Sequence, residues 1–315
     1  MGFDVKTQTT VLPSTASPQR SLLSTTMSVS TMLTAVGISD TGTQRTDNQD
    51  ASRMADASDG GLRLRALFAV ADGMGGLQHG RFASHVALQV FFESFLRNRP
   101  SRVERSLRSS MEEAHFGLQQ SMQKLGIPQM GTTLTAAYVE GSRLYLAHIG
   151  DSRAYLLRDG RAECLTRDHT TVGEMVRMHI LAPDKIRGHD RRSELTKGLG
   201  LGLFVQPDTR HVPLQDGDRI LLCTDGVWSE VEDKEIADLS AGCESPREFG
   251  RALVDLAMER GSEDNVSVIV IHLDKLPGRD LSQDHPSAGI LGRWLGRRSA
   301  GPLRDKNDSA KNPML

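Results

Sequence analysis

Residues 133–165 read TLTAAYVEGSRLYLAHIGDSRAYLLRDGRAECL, four β-rich runs with only a few residues between one and the next. Parallel strands need a crossover of a dozen or more residues. Connections as short as Glu140-Gly141-Ser142 and Arg158-Asp159-Gly160 therefore imply antiparallel hairpins. Working outward, the pattern adds strands at 33–39, 62–71, 219–224 and 266–273. Apolar residues recur at helical spacing over 80–97 (Phe82, Val86, Val90, Phe91, Phe95), 103–124 (Val103, Leu107, Met111, Ala114, Leu118, Met122) and 246–260. Long helices thus interrupt runs of strands. Each sheet of such a chain has one face to bury against another sheet and one to cover. This predicts an α+β fold, a four-layer α/β/β/α sandwich of two mainly antiparallel sheets flanked by helices. Residues 171–198 break the pattern with Met175-Val-Arg-Met178, Pro183 and a polar run from Asp184 to Arg192, and read as a surface flap.

The chain has 315 residues, of which 38% are apolar, enough for a sizeable core. Its net charge of -2, with signs interspersed, creates no basic field of the kind that binds nucleic acid regardless of sequence. Cys164, Cys223 and Cys243 are odd in number and far apart, which suits a reducing, cytoplasmic setting better than a disulfide framework. No run approaches the roughly 18 apolar residues of a transmembrane segment. Residues 1–30, rich in Ser, Thr, Gln and Pro, read as a disordered arm, 31–275 as the folded domain and 276–315 as a flexible tail. Within that tail the Ile290 to Arg298 segment around Trp294 is either a chance apolar spot or a short amphipathic anchor.

Aspartates recur where strand-like runs end: Asp72-Gly73 after Leu67-Phe-Ala-Val-Ala, Asp225-Gly226 after Leu221-Leu-Cys-Thr, and Asp264-Asn265 before Val266. Strand tips can hold carboxylates rigidly and converge, so aspartates distant in sequence can share hard cations such as Mg²⁺ or Mn²⁺. The alternative is that Asp-Gly marks turns, and the polar settings of Asp59-Gly60, Asp159-Gly160 and Asp216-Gly217 fit that reading for those three. No His-Glu-x-x-His or close Cys/His pair points to zinc. Arg45, just before Asn48-Gln49-Asp50, offers a forked guanidinium that matches phosphate oxygens.

Taken in order, Arg45 to Asp50, Asp72 to Gly76, Gly131-Thr-Thr-Leu134, Gly150-Asp151-Ser152-Arg153, Leu165 to Thr170, Asp225-Gly226 and Asp264-Asn265 resemble the type 2C metal-dependent serine/threonine protein phosphatases in their bacterial form. The resemblance runs from about 34 to 273 and makes 31–275 the phosphatase domain. It implies two Mn²⁺ or Mg²⁺ ions, bridged by Asp72, with the Gly73 carbonyl on one and Asp225 and Asp264 on the other. Asp50 and Gln49 are implied to hold metal-bound waters, Gln49 standing where the family often has Glu. Asp151 matches a residue that shares a third metal with Asp225, and Arg45 matches the phosphate clamp. Asp151 has a second reading, as a turn residue paired with Arg153. Met74 stands where eukaryotic relatives often carry a histidine and cannot donate a proton, and Met178-His179-Ile180 replaces a small, Gly-containing flap turn. His148, His169 and the cysteines read as structural.

The implied function is hydrolysis of phosphoserine and phosphothreonine in phosphorylated protein substrates by a metal-activated water, opposing a bacterial Ser/Thr kinase or acting on its targets. A narrower form is a phosphatase devoted to one small regulatory protein. A non-catalytic phosphoprotein-binding module on the same fold is the alternative from another class, and the retained Asp72, Asp225 and Asp264 argue against it.

Overall fold

The computed structural model describes residues 8–11, 22–29, 32–58, 64–75, 77–97 and 102–276. The chain opens with β1 (Gln8–Val11), β2 (Leu22–Val29), β3 (Leu33–Asp40), β4 (Asp50–Asp56) and β5 (Arg65–Met74), then two long helices, α1 (Leu77–Arg97) and α2 (Val103–Leu125). A short β6 (Gly131–Thr132) leads into β7 (Leu134–Glu140), β8 (Arg143–Ile149), β9 (Arg153–Arg158) and β10 (Arg161–Cys164). After α3 (Thr171–Arg177) come β11 (Asp208–Pro213), β12 (Arg219–Cys223), α4 (Asp225–Trp228), α5 (Asp233–Gly242), α6 (Pro246–Glu259) and β13 (Val266–Leu273). Every strand pairing is antiparallel. One sheet runs β1-β2-β3-β13-β12-β9-β10; the other runs β11-β8-β7-β5-β4, with β6 paired to β5.

The period-2 alternation of the strands assigns their side chains to separate apolar layers. On β5, Leu67, Ala69 and Ala71 face α1 and α2, where they meet Phe91, Phe95, Leu107 and Met111. The alternate residues Ala66, Phe68 and Val70 face the other sheet and pack with Leu33, Ala35, Ile220, Leu222, Ile269 and Ile271. The outer face of that second sheet, with Val36, Ile38, Leu221, Val268 and Val270, is covered by Ile236 of α5 and Phe249 and Leu253 of α6. Three apolar interfaces separate four layers, as the pattern of hairpins and interrupting helices predicts. The hairpin turns follow their chemistry: Asp159 and Gly160 both take positive φ, 51° and 68°, as the tight connection between β9 and β10 requires.

Strand and helix expectations agree with the structure to within a few residues, but eight elements were not foreseen: β1, β2, β4, β6, β11, α3, α4 and α5. The largest correction concerns the N-terminal arm. Residues 22–29 are not disordered; β2 pairs along all eight positions with β3 and buries Leu22, Ser24, Met27 and Val29. Its Ser and Thr content suits this place, because Arg247 of α6 donates to Ser24 Oγ (3.1 Å) and Thr26 Oγ1 (2.8 Å). Few apolar side chains suffice when a neighbouring strand supplies the backbone hydrogen bonds. The rest of the arm expectation beyond β1, the Asp59-Gly60 turn, Gly76 and the tail with its Trp294 segment lie outside the described residues.

A chain beginning at residue 32 should therefore be less stable than one beginning at 22, by at least about 2 kcal/mol for the lost burial of Leu22, Met27 and Val29. Urea unfolding of the two fragments checks this; coincident midpoints would show that β2 contributes nothing.

Candidate active site

The two sheets meet at one edge, where the ends of β4 and β5 face those of β12 and β13. Asp50 and Asp72 are cross-strand partners in the β4–β5 register, so their carboxylates start side by side. Thr224, directly after β12, donates to Asp50 Oδ2 at 2.8 Å and so links the sheets at this point. Asp225 opens α4, and Asp264 lies two residues before β13. Together with Arg45, Gln49, Gly73 and Asp151, residues Asp72, Asp225 and Asp264 line one cleft of about 490 Å³. Asp50 sits buried behind it. All eight candidates are thereby brought to one place.

Short hydrogen bonds fix the backbone that carries them. The Asp72 carbonyl accepts from Thr132 Oγ1 (2.8 Å) and the Thr133 amide (2.9 Å), while the Asp72 amide donates to Thr133 Oγ1 (2.9 Å). This gives Gly131-Thr-Thr-Leu134 its physical role. Gly73 has no room for a side chain, since a Cβ there would lie 1.9 Å from the Gly80 carbonyl oxygen in the first turns of α1. Asn265 accepts from the Gln49 amide (2.8 Å) and donates to the carbonyls of Thr41 (2.7 Å) and Asp47 (3.1 Å), clamping both flanks of the loop that carries Arg45.

The Gly150-Asp-Ser-Arg motif is held differently from its turn reading. Arg153 does not pair with Asp151 but forms a buried, two-pronged ion pair with Asp168 (3.0 and 2.6 Å). Its guanidinium lies 3.6 Å from the centre of the Trp228 ring, and Trp228 Nε1 donates to the Asp151 carbonyl at 2.9 Å. His169 is structural, as expected: its Nδ1 accepts from the Gly150 amide at 3.2 Å and its ring stacks on His148 with centroids 5.0 Å apart. Trp228, Asn265 and Asp168 were not anticipated in these supporting roles. Trp228, three residues after Asp225, was a legible signal only in that a large aromatic beside a polar motif needs a partner for its N–H.

The electrostatics of this edge are unfavourable to anions. Burial, with repulsion from its neighbours, raises the Asp50 carboxyl to about 7 and the Asp225 carboxyl to about 6. Asp72 and Asp151 are also pushed well above the ordinary carboxylate range, first by burial and then by adjacent aspartates. Two arginines oppose this. Arg45 forms a 2.8 Å ion pair with Asp264, and the charge of Arg192, a flap residue not singled out from the sequence, acts with Arg45 to lower Asp225. Asp225 Oδ1 is buried without a hydrogen-bond partner.

An orphaned carboxylate oxygen among crowded, oxygen-only donors fits a divalent cation. Among the described residues no three Asp, Glu, His or Cys side chains converge closely enough to chelate one ion by themselves. Water would therefore fill much of each ion's shell, as is usual for Mg²⁺ and similar ions. Met74 also lines the cleft and supplies no proton, and among the described residues no histidine lines it.

A protein-family model described as protein phosphatase 2C matches residues 42–264. The serine/threonine phosphatase Stp of Listeria welshimeri is 30% identical over 249 residues, covering 77% of this chain and 97% of that protein. Among solved structures, the serine/threonine phosphatase Stp1 of Staphylococcus aureus is 29% identical with a TM-score of 0.72, covering 79% of this chain and 98% of that one. The catalytic domain of the phosphatase PstP, solved in complex with 2 manganese ions, is 30% identical with a TM-score of 0.66, covering 78% and 99%. The chain belongs to the protein phosphatase 2C family, the metal-dependent phosphoprotein phosphatases.

Proposed function

We propose that this chain removes phosphate from phosphoserine and phosphothreonine in proteins, opposing a bacterial Ser/Thr kinase, with two Mn²⁺ or Mg²⁺ ions at the cleft. The observation that carries the reading is the crowding of Asp50, Asp72, Asp151, Asp225 and Asp264 at facing strand ends beneath an arginine-bearing loop. In this reading Asp72 would help to hold both ions, the Gly73 carbonyl one of them and Asp225 with Asp264 the other. Asp50 and Gln49 order water, and Asp151 with Asp225 is suited to a third ion. When bound, such cations polarise the phosphoryl group and lower the pKa of water so that a nucleophile exists at neutral pH.

The chain's own residues do the positioning. Arg45 is half exposed on the rim, where its guanidinium can exchange the Asp264 carboxylate for phosphate oxygens. Asn265 limits where that guanidinium can go by holding the loop on both sides. Among the described residues no helix is long and apolar enough to cross a membrane.

Asp72→Asn or Asp225→Asn should lower Mn²⁺-dependent hydrolysis of a phosphothreonine peptide by more than about a hundredfold with the circular dichroism spectrum unchanged. Near-normal turnover in either variant would falsify the ligand roles. Arg45→Ala should raise KM for the same peptide about tenfold, the order expected for one charge-assisted hydrogen bond. The Mn²⁺ concentration for half-activation should not rise, and a large rise would mean that Arg45 supports the metal ligands instead of the phosphate.

Stability carries an independent signature. Raised carboxyls such as Asp50 (about 7) and Asp225 (about 6) keep protons in the folded, metal-free chain that the unfolded chain releases near 3.8. Their contribution to stability is present at low pH and lost as pH rises through about 6 to 7. Cations should compensate for the charges that then appear, so the Tm gain on adding Mn²⁺ should be larger at pH 8 than at pH 5. The buried His148 and His272, lowered to about 4, titrate in the opposite sense but cancel when samples with and without metal are compared at one pH. Equal gains at both pH values would contradict metal binding by these carboxylates.

A further inference from the structure

The part of the cleft wall formed by Leu201 continues into a loop with an unusual surface. Leu201 lines the cleft, and the next two large side chains, Leu203 and Phe204, are 82% and 92% exposed, the two most exposed large hydrophobic residues among those described. Solvent exposure of this kind is unremarkable in a loop that wanders, but this loop is pinned along its length. Leu199 exchanges backbone hydrogen bonds with Thr132 (3.0 and 2.9 Å) and is fully buried. The Gly200 amide donates to His115 Nδ1 (3.1 Å), and Gln119 Nε2 donates to the Gly202 carbonyl (2.8 Å). Val205 turns back onto the apolar layer beneath α1 and α2.

Two glycines make the tip possible. Gly200 and Gly202 take left-handed φ angles of 83° and 66°, and a Cβ at Gly200 would come within 2.5 Å of the Met130 carbonyl oxygen. The backbone is thus tied down on both sides of a turn that points Leu203 and Phe204 outward. Phe116, 58% exposed, sits one turn from Gln119 on α2, the residue that holds the Gly202 carbonyl. Adjacent exposed apolar side chains beside a binding cleft are the kind of surface at which interaction sites form.

We infer that Leu203 and Phe204 dock an apolar side chain of the phosphoprotein substrate, close in sequence to its phosphorylated residue. This rests on the phosphatase reading proposed above and adds a preference to it. The occupant follows from continuity: a phosphorylated residue in the cleft lies against Leu201, and Leu203 and Phe204 follow two and three residues later. That distance, at most about 7 to 11 Å of extended chain, matches a substrate side chain about two to four positions from the phosphate. The apolar tip has no charge to attract acidic flanks, so the preference is for Leu, Ile, Met or Phe in the substrate.

The test uses the full chain with Mn²⁺ and three substrates: an aryl phosphate too small to reach the tip, a phosphothreonine peptide flanked by leucines, and the same peptide flanked by serines. The Leu203→Ser/Phe204→Ser double variant should raise KM for the leucine-flanked peptide about tenfold and leave its kcat, and all constants for the other two substrates, within about twofold. A wild-type chain without preference between the peptides, or a variant that loses activity equally on all three, overturns the inference. So does an unchanged KM for the leucine-flanked peptide, and a concentration-dependent dimer lost in the variant would then assign the tip to a second copy of this chain. Failure of the phosphatase reading looks different, because the wild type would then hydrolyse none of the three.

Discussion

Mutual repulsion among buried carboxylates is the constraint around which this molecule is arranged. Burial raises the affinity of Asp50, Asp72, Asp151 and Asp225 for a proton, and the charges of neighbouring aspartates raise it further. Left to relax, such groups would separate or turn to solvent, so the fold must hold them by parts of the residue that carry no charge. It does so through the backbone: Asp72 by Thr132 and Thr133, Asp151 by Trp228, and the Gln49 to Asp50 turn by Asn265 and Asn48. A strained set of anions fixed in this way is poised for cations and gains most when they bind.

This arrangement explains why two sheets are needed. Asp50 and Asp72 come from neighbouring strands of one sheet, whereas Asp225 and Asp264 come from the ends of neighbouring strands of the other. Facing the sheets across the Phe68 and Ile269 layer brings the two pairs together, and Thr224 spans the gap to Asp50. A single sheet would spread the four along an edge, with strands about 4.8 Å apart. The sandwich core therefore sets the spacing of the site, and the helical layers on either side keep both sheets from shifting.

The sequence made much of this legible because its signals are local. Short hairpin connections at 140–142 and 158–160 revealed antiparallel pairing, and the placing of Asp72 and Asp225 after strand-like runs revealed a shared edge. What escaped depends on neighbours distant in sequence. The strand at 50–56, Asp-Ala-Ser-Arg-Met-Ala-Asp, looks polar because it lies at a sheet edge, and part of its surface is covered by Arg53, whose guanidinium sits 4.8 Å from the Phe92 ring centre. Residues 22–29 looked disordered because the Ser24 and Thr26 hydroxyls find their partner in Arg247, more than two hundred positions away. The clamp by Asn265 and the Arg153–Asp168 pair are likewise invisible until the chain is folded.

The flap shows the same precedence of backbone over side chain. Only two non-glycine residues among those described have positive φ, Asp159 in a hairpin turn and His179 at 59° in the flap. A left-handed conformation costs a non-glycine residue of order 1 kcal/mol, which is why a glycine-containing turn suits the position that Met178-His179-Ile180 occupies. The turn nevertheless keeps its geometry with histidine at its centre. Its closing bonds, from the His179 amide to the Val176 carbonyl (3.0 Å) and from the Ile180 amide to the Met175 carbonyl (2.9 Å), involve only the main chain. Met178 and Ile180 are exposed on either side. Side chains at such a turn are free of the packing that fixes the three apolar layers, so they can change while the path of the chain does not. The carboxylate edge permits no such freedom, since every group there is bound by its neighbours' charges as well as by its own backbone.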